Sequence, residues 1–157
     1  MDGVLSLFGY EDGTVPPGDF HWVNGVLHCI GEGAGERLLR LGERYELVWA
    51  TGWEETANEF LPHLLGLPGE LPCLTFGSAA VWGTAHWKLD AIAQYAGSRP
   101  AAWIDDCHDE SCLEWAEQRD APTLLLTTHS AEGIRDEHVE HLLAWAERLN
   151  GEGPVSP

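Results

Sequence analysis

The chain reads as α/β, with a parallel central sheet covered by helices on both faces. From residue 36 onward, short apolar runs rich in β-branched or aromatic residues alternate with segments of helical period, the pattern of parallel strands joined by crossover helices. The 157 residues, 44% of them hydrophobic, suffice for one domain with a real core and are not the composition of a disordered chain. No apolar stretch approaches the roughly 18 residues of a membrane span, and the N-terminus lacks the basic and apolar regions of a signal peptide. The expected architecture is a Rossmann-like three-layer sandwich over residues 1–150, with a disordered tail at 151–157 and the cytoplasm as default location.

Each element has a local reason. Val4 to Leu7 is expected as the stub and exit of a first strand. The segment from Gly9 to Ile30 differs, because Asn24-Gly25 between His21-Trp22-Val23 and Val26-Leu27-His28 is a strong hairpin signal. It predicts a β-hairpin flap at about 9–30, beside an open site without a large cap domain. Glu36 to Leu41 reads as a helix stopped by Gly42. Tyr45 to Ala50 is a buried strand ending at Thr51-Gly52, and Glu54 to Leu65 is a helix with acids in its first turn and Gly66 closing it. Leu71 to Phe76 is a short strand, Trp87 to Ala96 a helix stopped by Gly97, and Ala101 to Ile104 a central strand running into Asp105-Asp106. Glu110 to Gln118 reads as a helix, Pro122 to Thr127 as a strand, and Asp136 to Leu149 as an amphipathic helix.

Charge narrows the partners. A formal net charge of -18, from 26 acids against 8 Lys and Arg, repels DNA, RNA and anionic lipid, so a phosphate-bearing ligand would need a bound cation. Cys29, Cys73, Cys107 and Cys112 form no Cys-x-x-Cys pair, and they read as reduced thiols. Cys107-His108 with Cys112 as a partial metal cluster is the alternative.

Open parallel sheets bind ligands at the carboxyl ends of their strands. Asp2, Thr51 and Asp105-Asp106 all fall at such ends, and Lys88 starts a helix that could lean over the same crevice. In order, Asp2-Gly3-Val4-Leu5, then Leu47-Val48-Trp49-Ala50-Thr51-Gly52-Trp53, then Lys88, then Trp103-Ile104-Asp105-Asp106 resemble the four motifs of the haloacid-dehalogenase-like (HAD) superfamily. The resemblance spans roughly residues 1 to 128 and is to small capless bacterial members.

The resemblance implies a magnesium-dependent hydrolase of phosphate esters. Asp2 would be the general acid and base, and its backbone carbonyl would ligate Mg2+. Thr51, with the amide of Gly52, would bind a phosphoryl oxygen, and Lys88 would neutralise phosphate and nucleophile. Asp105 and Asp106 would hold Mg2+, a hard cation that prefers oxygen ligands. Trp53, Trp82 and Trp87 would flank the site, with Trp53 lining the substrate.

The family's attacking carboxylate stands two residues before Asp2, and that residue is not in this sequence, nor is the apolar strand leading to it. A start misplaced at a GTG valine within Asp-Val-Asp-Gly is one expectation; a shortened chain and a degenerate protein are the others. Little or no phosphatase turnover is expected of the chain as given, and a catalytically dead binding or regulatory domain is the alternative function.

Plainer readings stand beside these. Asp2 could be a solvated acid near a terminus, Thr51-Gly52 a helix cap, Lys88 a surface lysine despite its unfavourable place at a helix start, and Asp105-Asp106 a cap for the following helix. Trp49, Trp103, Trp115 and Trp145 fall on core-facing positions, and His21, His28, His86, His108 and His129 show no metal spacing and receive no role. No Gly-x-Gly-x-x-Gly loop follows a strand, which disfavours a dinucleotide cofactor.

Overall fold

The computed structural model describes residues 1–76 and 86–151. Along the chain run β1 (Ser6–Leu7), β2 (Gly18–Val23), β3 (Val26–Gly31), α1 (Ala34–Gly42), α2 (Thr56–Leu65), α3 (Leu89–Ala96), β4 (Ala101–Asp105), α4 (Glu110–Gln118), β5 (Thr123–Thr127) and α5 (Asp136–Gly151). None of the described helices is long and apolar enough to cross a membrane.

Strands β2 and β3 form the expected hairpin, with Val23 opposite Val26 across the turn. Asn24 and Gly25 both adopt positive φ, 48° and 77°, as a tight turn matched to strand twist requires. The start of the chain departs from expectation. Ser6–Leu7 pairs antiparallel with β3, placing Ser6 opposite Ile30, so this stub belongs to the hairpin sheet, whose order is β1-β3-β2. Leu7 is buried and the next residues pass to solvent, which ends the strand early.

The parallel signal appears in pieces. β4 and β5 pair in parallel over their full length, Ala101 opposite Thr123 and Asp105 opposite Thr127. The segments expected as strands at 45–50 and 71–76 meet at one parallel bridge, Trp49 to Cys73, where Trp49 donates to Pro72 and accepts from Leu74. Among the described residues these two pairs are not joined into the continuous sheet that the sequence predicts.

The reason lies between them. In a parallel ladder alternate residues bond to opposite sides. Ala101, Trp103 and Asp105 face β5, so Ala102 and Ile104 turn their amides and carbonyls the other way; by the same alternation Val48 and Ala50 turn away from 72–74. None of these four residues has a backbone partner on that outer side among the described residues. An apolar cavity of about 620 Å³ separates the two edges, lined by Val48, Ala50, Ala102 and Ile104 and closed at one end by Met1.

Helices cover both faces of the strand segments. Trp49, Ala102, Ile104, Leu124 and Leu126 pack into a core with α1, α2 and α5, built around Leu41, Leu61 and Leu142. Val48, Ala50, Trp103 and Leu125 pack with Leu74, Ile92 and Cys112 on the other face. This alternation buries both sides of the strands, as their continuous apolar character implies. The architecture is therefore mixed α/β.

Helix α2 starts at Thr56, two residues later than its acids suggest, because Glu54 takes a left-handed backbone with φ 47°. Its close at Gly66 is as expected, φ 66°, with the Leu67 amide reaching back to Pro62. Helix α1 crosses α2 at Gly35, where an added Cβ would lie 2.0 Å from the Leu65 carbonyl oxygen. Gly35→Ala is expected to cost about 1–3 kcal/mol through overpacking against backbone. Urea unfolding checks it, and an unchanged midpoint would show that the two helices separate without penalty.

Candidate functional site

The site residues gather at the carboxyl ends of β4 and β5. Asp105 is the last residue of β4 and is 4% exposed. Its Oδ2 accepts from Lys88 Nζ at 2.7 Å and from Trp103 Nε1 at 3.3 Å, and its Oδ1 accepts from the Cys107 amide. Burial pushes the Asp105 carboxyl up, but Lys88, the Met1 amino group and His86 outweigh it and hold it below its ordinary range. Lys88 is no surface lysine. It caps α3 with its backbone, lies 8% exposed, and sets its ammonium 5.2 Å from the Trp87 ring centroid. The unfavourable helix-dipole position is offset by the turn of the side chain onto Asp105.

Asp106 leans on the first loop of the chain. A Cβ at Gly3, whose φ is +67°, would fall 2.4 Å from the Asp106 carboxylate, so glycine admits this approach. Ser130 donates to Asp106 Oδ2, Thr128 donates to the Gly3 carbonyl, and the Thr128 amide donates to the Asp105 carbonyl. The loop itself is closed by the Met1 carbonyl, which accepts from the amides of Val4, Leu5 and Ser6. Asp2 is exposed. The Met1 amino group is buried within the field of Lys88, Asp2, Asp105 and Asp106, and burial first, then Lys88, pushes it down to about 6.

Thr51 and Gly52 follow the 45–50 segment. Thr51 is 3% exposed, and its hydroxyl accepts from the Trp53 amide at 3.3 Å, so it shapes the turn and does not cap α2. A Cβ on Gly52 would touch Trp87 at 3.4 Å, which places this turn beside the Trp87-Lys88 pair. Glu54 ties the same turn to the end of 71–76 by accepting from the Phe76 amide at 2.6 Å, and Phe76 meets Trp87 edge-on at 4.7 Å. Trp82 lies outside the described residues, as do residues 152–157 of the tail.

Cap readings divide between the two acids and their neighbour. Asp109, not Asp105 or Asp106, caps α4 by accepting from the Cys112 amide. Trp49 and Trp103 are buried as expected, and Trp115 meets Trp103 at 6.2 Å. The cysteines are free thiols, with Cys112 pushed up to about 11 by burial.

Several residues that the sequence left without a role belong here. His86 and His108 stand edge-on to Trp103, each at 4.8 Å, and burial lowers both imidazoles. Thr128 and Ser130 were discoverable, because they directly follow an apolar strand and so fall at its carboxyl end. Glu54 carried no such signal, since its left-handed backbone breaks the residue's own preference.

A hard cation takes oxygen ligands, but here the Met1 and Gly3 carbonyls already accept hydrogen bonds within the protein. Among the described residues no group of three or more His, Cys, Asp or Glu has the arrangement of a complete metal cage. Asp105 is already neutralised by Lys88, so the repulsion expected of adjacent acids is relieved by the protein's own cation. No family model, curated protein or solved structure matches this chain.

Removing one partner of a buried pair strands the other, so Lys88→Met is expected to destabilise by about 3–5 kcal/mol, and the double change Lys88→Met with Asp105→Leu by less. Urea unfolding of these variants and of Asp105→Leu alone measures this; a double loss equal to the sum of the two single losses would show that the pair is not coupled.

A pH dependence follows from Met1. Its folded amino group titrates near 6 against 8.0 ordinarily, so the unfolded chain binds the proton first as pH falls. Stability is expected to be full above pH 8.0 and to drop by about 2–3 kcal/mol towards pH 6. The lowered imidazoles of His86 and His108 act in the same direction. Denaturant unfolding across this range, with an N-acetylated chain as control, reads it; an identical slope after acetylation refutes the assignment to Met1.

Proposed function

We propose that this chain carries the phosphate-binding machinery of a HAD-like, magnesium-dependent phosphohydrolase. The observation that supports this most is the meeting of the Met1–Gly3 loop with Asp105, Asp106 and Lys88 at the carboxyl end of β4, beside the Thr51-Gly52 turn. An ammonium, a buried hydroxyl and a small-residue turn next to carboxylates form the donor set that phosphoryl transfer uses, because that reaction needs positioning and charge neutralisation.

Thr51 and the Gly52 amide would hold phosphoryl oxygens, and Lys88 would exchange part of its bond with Asp105 for the anion. Asp2, which is exposed, would give a proton to the leaving oxygen. Asp106 and Asp2 would hold Mg2+, which supplies charge neutralisation when bound.

The finer architecture belongs to the same reading. The gap between β4 and the 45–50 segment has the form of a missing parallel strand, with unpaired backbone on both edges and apolar walls. A strand seated there would join the halves into a Rossmann-like sheet and end beside Asp105. A carboxylate at its tip, two positions before Asp2, would supply the nucleophile. The catalytically dead binding domain is the second reading, and it draws on the ion pair that already neutralises Asp105.

One experiment separates them. An apolar strand ending in Asp and one further residue is joined ahead of Asp2, and hydrolysis of varied phosphomonoesters is assayed with and without Mg2+. The extended form is expected to turn over in a Mg2+-dependent manner, at least 100-fold above the chain as given, and to lose this with Lys88→Ala. An inert extended form that binds phosphate supports the binding domain and ends the hydrolase reading.

A further inference from the structure

The cavity of about 620 Å³ between β4 and the 45–50 segment has walls that hydrocarbon alone does not satisfy. Ala102 and Ile104 on one side, and Val48 and Ala50 on the other, turn their amides and carbonyls away from their own ladders and have no backbone partner there among the described residues. All four are only partly buried, whereas Trp49, Trp103 and Asp105, which alternate with them, are buried. Backbone polar groups inside a protein are nearly always paired. Two such edges on one cavity call for an occupant that offers donors and acceptors on both of its sides.

The two ends of the cavity differ. Met1 closes one of them, and its amino group lies in the field of Lys88 and Asp105, at the carboxyl end of β4. Arg44, Glu46 and Arg99, all exposed, line the other, near the starts of both strand segments. Gly52, which follows the 45–50 segment, adjoins Trp87 beside Lys88, so both edges run in the same direction.

A strand parallel to both edges continues the pairings that β5 and the 71–76 segment already make. Helices cover both faces, so its side chains must be apolar on both sides, and the five residues of β4 set its length. Proline is excluded, because it has no amide hydrogen to give. A lipid tail would fill the volume and leave the edges unpaired, which is costly. A second copy of this chain would bring a charge of -18 against its like, whereas basic residues ahead of the apolar run are drawn to the same field.

We propose that this cavity is a receptor slot for a separate polypeptide, an extended apolar segment with a basic amino-terminal flank, seated parallel between β4 and the 45–50 segment with its carboxyl end towards Met1. The slot coincides with the strand seat of the phosphohydrolase reading, but it needs neither phosphate nor Mg2+.

The probe is the peptide Lys-Lys-Val-Ile-Val-Ala-Val, amidated at its carboxyl end and titrated calorimetrically into the intact chain. Its control is the same peptide N-methylated at every second apolar residue, which keeps charge and apolar surface and removes the donors towards one edge. The unmodified peptide is expected to bind about tenfold or more tightly than the control. Hydrogen exchange at the Val48, Ala50, Ala102 and Ile104 amides is expected to slow about tenfold or more on binding.

Equal binding of the two peptides shows an apolar cavity that does not pair strands and overturns the proposal. Protection confined to Gly18–Val23, the outer strand of the hairpin sheet, places the peptide elsewhere and overturns it too. So does a chain that sediments as a dimer with the four amides already protected, because the occupant is then a second copy. A covalently joined strand that restores phosphate turnover, in a chain that binds no free peptide, ends the receptor slot and leaves the hydrolase reading intact. Peptide binding with the expected protection, in a chain whose extended form stays inert, upholds the slot and sinks the hydrolase.

Discussion

Two opposite charges withdrawn from water, the Lys88 ammonium and the Asp105 carboxylate, organise the end of the sheet where the candidate site lies. Taking either ion out of water alone is costly, and their attraction repays it only when the remaining hydrogen bonds are also made. Here Trp103 and the Cys107 amide complete the shell around Asp105. Everything nearby inherits its place from that pair: α3 must begin where Lys88 reaches β4, Trp87 is set against Gly52, and Trp103 is held between two histidines.

The same pair explains why the first loop sits where it does. Thr128 joins the end of β5 to Gly3 and to Asp105, so the loop, the acids and the ammonium form one hydrogen-bonded unit. Charge is dense there, and the Met1 amino group lies inside it largely stripped of solvent. The candidate site and a region of local electrostatic cost therefore coincide.

Opposed to this polar end is an apolar gap. Strand edges with unpaired amides and carbonyls normally find a partner or are covered. In this molecule the edges of β4 and of the 45–50 segment face a shared cavity, while both faces of those strands are well packed by helices. Packing perpendicular to the sheet is complete where pairing within it is not.

Much of this was legible along the chain. Hydrophobic period placed the described helices within a few residues, and Asn24-Gly25 set the hairpin because two consecutive left-handed residues leave few other choices. These features are local, or depend on strands running one way, and local pattern records them. What three dimensions alone decided were the encounters between distant segments: the assignment of Ser6–Leu7 to the hairpin sheet, the left-handed turn at Glu54, the commitment of Lys88 to Asp105, and the solitary nitrogen of His28. Each of these turns on which groups are left unpaired once the chain has closed on itself, and that balance exists only when all the segments are in place.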